Sequence, residues 1–170
     1  MSGPRPEPWL RGPVAGIPRL LQPAAHALVM AREDVEAAVR GLSDEQIWES
    51  ISGLAPLGFH LRHLAGSTDR LLTYARGEPL TEEQRAALAA EKHIAAPRPA
   101  LAALLAGWRA SVERALQQLS ATSEAELAVP RAVGRAGLPS TVLGLLFHAA
   151  EHASRHTGQV VSTARLVRNR

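Results

Sequence analysis

The run Ser140-Thr-Val-Leu-Gly-Leu-Leu-Phe-His148-Ala-Ala-Glu-His152-Ala-Ser-Arg-His156-Thr-Gly158-Gln-Val160-Val-Ser-Thr163 decides how this chain folds. Leu145, Ala149, His152, His156, Val160 and Thr163 recur at steps of three and four, the period that aligns side chains on one helical face. The spacing predicts a long helix, capped by Ser140 and continuing to about Val167. Its apolar stripe must face an interior, and that stripe carries two imidazoles one turn apart. A buried polar atom left without a partner costs about 1–3 kcal/mol. The helix uses its own carbonyls, so two stacked imidazoles are hard to satisfy there, whereas a shared metal satisfies both.

Upstream, the same period recurs. Leu20, Leu21, Ala24, Leu28, Ala31, Val35, Ala38 and Val39 mark a first helix over about 20–40, closed by Gly41. Ser43-Asp-Glu-Gln46 resembles a capping box that opens a short turn carrying Ile47 and Trp48. A second long helix runs from about Leu57 to Arg76, stopped by Gly77 and Pro79. Thr81-Glu-Glu-Gln84 caps a shorter helix to about Lys92, and a third long helix covers about Ala100 to Leu119. The interval 120–139, with Pro130, Gly134, Gly137 and Pro139, reads as a loop with a hairpin. The fold class expected is all-α, a four-helix bundle with long connections. Residues 1–18 hold prolines 4, 6, 8, 13 and 18, which predicts a Pro-rich N-terminal arm before a bundle domain over 19–170. Trp9 and Leu10 are expected to pack from this arm onto the body.

The bulk composition narrows the function classes. A chain of 170 residues, 46% hydrophobic and 21% charged, has enough material for one core and is not of disordered type. The net charge of +3 comes from scattered arginines, with Lys92 the sole lysine. A nucleic-acid interface needs a concentrated basic face, so that partner is disfavoured. The absence of cysteine excludes disulfides, thiolate-bound zinc and an enzyme thiol nucleophile. The stretch 142–150 is too short to span a bilayer, and the N-terminus lacks a secretory apolar core. The expected partners therefore include no membrane, and the expected location is the cytoplasm.

A third imidazole comes from the segment Phe59-His60-Leu-Arg-His63-Leu-Ala-Gly66, where His63 lies on the second helix with His60 and Ser67 on the same face. A His-x3-His pair alone is open between a structural or surface role and a ligand role. An inward histidine on a second helix would supply a third nitrogen and leave a position for water or substrate. Four residues of helix turn the side-chain direction by about 40°, so His148 diverges from His156 by twice that. His148 and His60 are read as outer or pocket residues, and His26 and His93 as surface histidines. His148-x-x-Glu151-His152 fits an inverted zinc-protease motif, but no acidic residue follows Glu151 to complete it. Glu151 pairs more simply with Arg155 one turn on. Arg70, two turns from His63, is open between a structural role and an anchor for an anionic group.

Leu61-Arg-His63-Leu-Ala together with His152-x3-His156-x-Gly158-Gln159 resembles the DinB-like family, over most of the chain from about Leu20 to Val167. That family includes metal-dependent bacillithiol transferases and mycothiol-dependent isomerases. The resemblance implies a four-helix bundle that forms homodimers, with His63, His152 and His156 as ligands of a divalent metal, zinc or nickel. It also implies a thiol (S-)transferase or hydrolase acting on a small molecule. A metal with an open position lowers the pKa of what it binds, and with no cysteine in the chain the thiol would come from a low-molecular-weight cosubstrate. The alternative is a non-catalytic metal-binding or dimerising bundle in a damage or stress response. Gly158 is expected to admit a close helix neighbour, and Gln159 to orient a ligand or bond across the bundle.

Overall fold

A computed structural model describes residues 5–51, 53–91 and 97–170. The stripes assemble as their spacing demands, into helices α1 (Gln22–Val39), α2 (Leu57–Ala75), α3 (Glu82–Glu91), α4 (Leu101–Ala121) and α5 (Val142–Arg168), with a hairpin of β1 (Pro130–Val133) and β2 (Leu138–Thr141). Helix α5 packs on α1 and α2, and α4 packs on α2 and α1. The pairs α1/α2 and α4/α5 thus face each other across the bundle diagonals, and chain crossing a diagonal needs length. Segments 40–56 and 122–141 supply it. The interior holds Leu28, Val35 and Val39 from α1, Leu57, Leu61 and Leu64 from α2, Trp108, Val112 and Leu119 from α4, and Leu145, Leu146 and Val160 from α5.

Helix α2 departs from a plain apolar stripe. It buries His60, Ser67, Thr68, Arg70 and Thr73 beside its leucines, and buried polar groups need partners. Ser111 Oγ of α4 donates to Ala65 O at 3.1 Å. Gln84 of α3 donates to Thr73 Oγ1 at 2.8 Å. The predicted capping box opens α3, with Gln84 N bonded to Thr81 Oγ1 and Thr81 N to Gln84 Oε1, both at 3.1 Å. Ser43 and Gln46 make the same reciprocal pair ahead of Trp48.

The hairpin joins the two helices that carry the site histidines. Arg131 Nε of β1 donates to Ala75 O at the end of α2, 2.8 Å away. At the start of α5, Val142 N donates to Val129 O and Leu143 N to Leu127 O. Gly134 and Gly137 take the positive φ values that the turn between the strands requires. The end of α2 and the first turn of α5 are therefore fixed through one short ribbon.

Several expectations are corrected at element ends. The α5 cap is Thr141, whose side chain accepts from Gly144 N at 3.0 Å. Ser140 is instead a strand residue paired with Arg131. Helix α1 starts at Gln22, after a 3-10 turn over Arg19–Leu21. Leu20 consequently points outward at 61% exposure, off the stripe. The turn that carries Trp9 and Leu10 lies against α1, but both side chains are 58% exposed and it is Pro8 that is buried. The arm lies against the bundle through Ile17, which is buried, and through polar contacts. Arg11 grips Glu33 with two bonds of 2.7 Å, and Ser120 Oγ donates to Gly16 O at 2.9 Å. The end expected for α3 at Lys92 lies outside the described residues.

Candidate metal centre

His152 and His156 sit one turn apart on the inward stripe of α5, and His63 faces them from α2. These three residues each offer a nitrogen, and the three nitrogens lie within 4.8 Å of one another. His63 Nε2 is 3.0 Å from His152 Nε2. The ring centroids of His63 and His156 are 4.5 Å apart, and those of His152 and His156 4.6 Å. Two nitrogens bound tetrahedrally at ordinary zinc distances stand about 3.3 Å apart, so this spacing suits a common cation. The face shared by His152 and His156 was readable from periodicity, because i, i+4 alignment is a local property of the chain, while His63 as their partner was what the family resemblance implied.

The outer nitrogens of His156 and His63 are engaged. His156 Nδ1 lies 3.0 Å from His60 Nδ1, which leaves His156 Nε2 for the cluster. His63 Nδ1 lies 2.8 Å from Glu91 Oε2. Arg70 in turn bonds Glu91 through Nη1 to Oε1 at 2.6 Å and Nη2 to Oε2 at 3.3 Å. His60 thus takes the outer position expected for it. Arg70 is buried and its guanidinium is taken by Glu91, so it is not held free for an anionic group. Glu91 is 4% exposed and was not singled out by its sequence context. It is the last described residue of an alanine-rich helix far along the chain from His63, in a weakly patterned segment.

His148 falls outside the cluster, on the exposed side of α5, with Nδ1 3.2 Å from Glu151. Glu151 also pairs with Arg155 at 2.6 Å, as the spacing predicted. His26 is partly exposed and its Nε2 lies 3.0 Å from Gly12 O, while His93 lies outside the described residues. Gly158 does not admit a neighbouring helix: a Cβ placed there would meet nothing within 4 Å. Gly158 and Gln159 both lie on the exposed face of α5, one position round from the inward stripe.

Burial governs the charge of the cluster. It pushes His152 down to about 4, helped by the nearby His63 and His148. It does the same to His156, to about 4, with His63 and His152 adding to it. His60 is lowered by burial and then by His63. Burial alone would raise the Glu91 carboxyl, but hydrogen bonds from His63 and Arg70 outweigh it and hold Glu91 below the usual carboxylate range. The α5 pair is therefore neutral near pH 7, the form in which imidazole donates a lone pair to a cation. Phe59 stacks on the His63 ring at 5.7 Å and forms an apolar wall beside it. A cavity of about 710 Å³, lined by Tyr74, Leu80, Arg85, Leu88 and Arg135 among others, is bounded by none of these histidines.

No helix among the described residues is long and apolar enough to cross a membrane. No curated protein sequence matches the chain. A solved structure, described as a conserved protein of locus from Enterococcus faecalis, is similar to it at 20% identity with a TM-score of 0.70. That similarity covers 88% of this chain and 98% of the other, and it bears on the fold. A family model, described as the DinB superfamily, matches residues 27–160.

Proposed function

The chain belongs to the DinB superfamily, and from that membership we propose that it is a metal-dependent thiol transferase or hydrolase acting on a small molecule, with His63, His152 and His156 as the ligands of a divalent cation. The observation that carries this reading is the convergence of three imidazole nitrogens within 4.8 Å from two neighbouring helices. An all-nitrogen donor set suits zinc or nickel, whereas magnesium and calcium favour oxygen. A cation held by three neutral imidazoles keeps its full charge and an open position, and so lowers the pKa of a thiol or water brought to it.

The protein's own residues prepare that chemistry. Glu91 and His60 occupy the outer nitrogens of His63 and His156, which directs the remaining nitrogens to one point. Phe59 lines one side of His63 with apolar surface. His152 and His156 are only partly buried, so a small molecule has a way in. The chain has no cysteine, so a thiol nucleophile would be a cosubstrate. Exposed Leu138 of β2, with Leu143 and Phe147 in the first turns of α5, supports the homodimer that family resemblance implies.

The test is product formation from a panel of low-molecular-weight thiols with a haloarene or epoxide, on protein with verified metal occupancy. Thiol-dependent turnover should require metal and fall in His152→Ala by at least the roughly 10–100-fold that loss of an outer partner of a ligand costs. A second reading, a non-catalytic metal-binding bundle, is favoured by a cavity of about 710 Å³ that lies away from the histidines. Absence of turnover across the panel in the loaded protein would decide for it.

A further inference from the structure

We infer that Glu91 of α3 is the positioning carboxylate of His63, clamped by Arg70 in a gap left by Gly66, so that α3 is a working part of the metal site. The inference rests on the reading of His63 as a ligand. A carboxylate accepts hydrogen bonds and donates none. With Glu91 Oε2 at 2.8 Å from Nδ1, the proton of a neutral His63 belongs on Nδ1 and the lone pair on Nε2. Nε2 is the nitrogen that faces His152 at 3.0 Å. A histidine ligand whose outer nitrogen donates to a carboxylate is fixed in tautomer and ring orientation, and is a stronger donor.

Three further observations point the same way. First, Glu91 is the buried residue of α3, while Leu88 of that helix is 38% exposed. Among its described residues, α3 is thus seated on α2 by polar groups, Glu91 together with Gln84. Second, a lone buried carboxylate would be costly, and Arg70 meets it with two bonds. The pair adds no net charge to the site. Third, Gly66 stands between His63 and Arg70 on the same face of α2, at spacings of three and four. A Cβ at Gly66 would lie 2.5 Å from Glu91 Oε1 and 2.8 Å from Arg70 Nη1. A Cβ there would force the Glu91 carboxylate and the Arg70 guanidinium to shift from this arrangement.

A purely structural Arg70–Glu91 pair would hold α3 to α2 and affect folding alone. Two readouts separate the two roles: the ¹⁵N spectrum of the His63 ring at pH 8 in metal-free protein, and zinc affinity by competition with a chromophoric chelator. Wild type should show the Nδ1–H tautomer of His63. Glu91→Ala should lose it and bind zinc about 10–100-fold more weakly. Gly66→Ala removes no hydrogen-bonding group, yet should weaken zinc in the same direction. In the Glu91→Ala background Gly66→Ala should have no further effect on affinity, because the atom it displaces is gone. An unchanged tautomer with wild-type affinity in both single variants would overturn the inference. An Nδ1–H tautomer that depends on Glu91, in a wild-type protein that binds no zinc, would uphold the positioning and overturn the ligand reading instead.

Discussion

His152 and His156 stand a turn apart on a buried stripe, and each is driven toward the neutral form, to about 4, by burial and then by neighbouring imidazoles. In an unfolded chain the same groups titrate near 6.5. Between those values the unfolded state binds more protons than the folded one, so stability falls as pH falls. The stability held by these residues is present in full above about pH 6.5 and is lost progressively down to about pH 4. Metal-free protein should therefore melt several degrees lower at pH 4.5 than at pH 7. The double variant His152→Leu/His156→Leu, melted at the same two pH values, should show a clearly smaller drop. The same drop in both proteins would mean that these imidazoles do not set the pH dependence. At this scale His152 and His156 were legible because helical periodicity places i and i+4 together wherever the helix goes, whereas His63, on another helix, was joined to them by the family resemblance. Glu91 was not, because a contact between α2 and α3 depends on how a short helix docks. The bare position at Gly66, between His63 and Arg70, makes sense as a clearance only once Glu91 is seen above it.

At the scale of elements, the hairpin and the α5 cap set where the histidine-bearing helices begin. Thr141 accepts from Gly144 N, while Ser140 lies in β2 opposite Arg131. Adjacent Ser and Thr are both good caps, and the sequence does not say which one the preceding strand will consume. Loss of an N-cap side chain costs about 1 kcal/mol. Thr141→Ala should therefore destabilise the protein by about that much in urea unfolding, and Ser140→Ala by only a few tenths. The reverse order would place the helix start one residue earlier. The long helices themselves followed from their stripes, since each buries the residues that recur at its period. The exposed Trp9 and Leu10 show where that argument stops: a proline-rich segment has no repeating face, and its Pro8 and Ile17 found cover instead.

The whole molecule places α2 and α5 side by side and ties them through the hairpin, with α3 laid against α2 on the site side. Continuous apolar packing from all four long helices gives the bundle a core that does not depend on an ion. The histidines are then free to be judged as a site rather than as a staple. The most direct test is the metal content of untagged protein, loaded with zinc or nickel and freed of excess, for wild type, His63→Ala, His152→Ala, His156→Ala and His148→Ala. One divalent ion per chain is predicted for wild type and His148→Ala, with clear substoichiometry in the other three. A wild type that retains no ion, or a His152→Ala protein that retains the wild-type amount, would contradict the account.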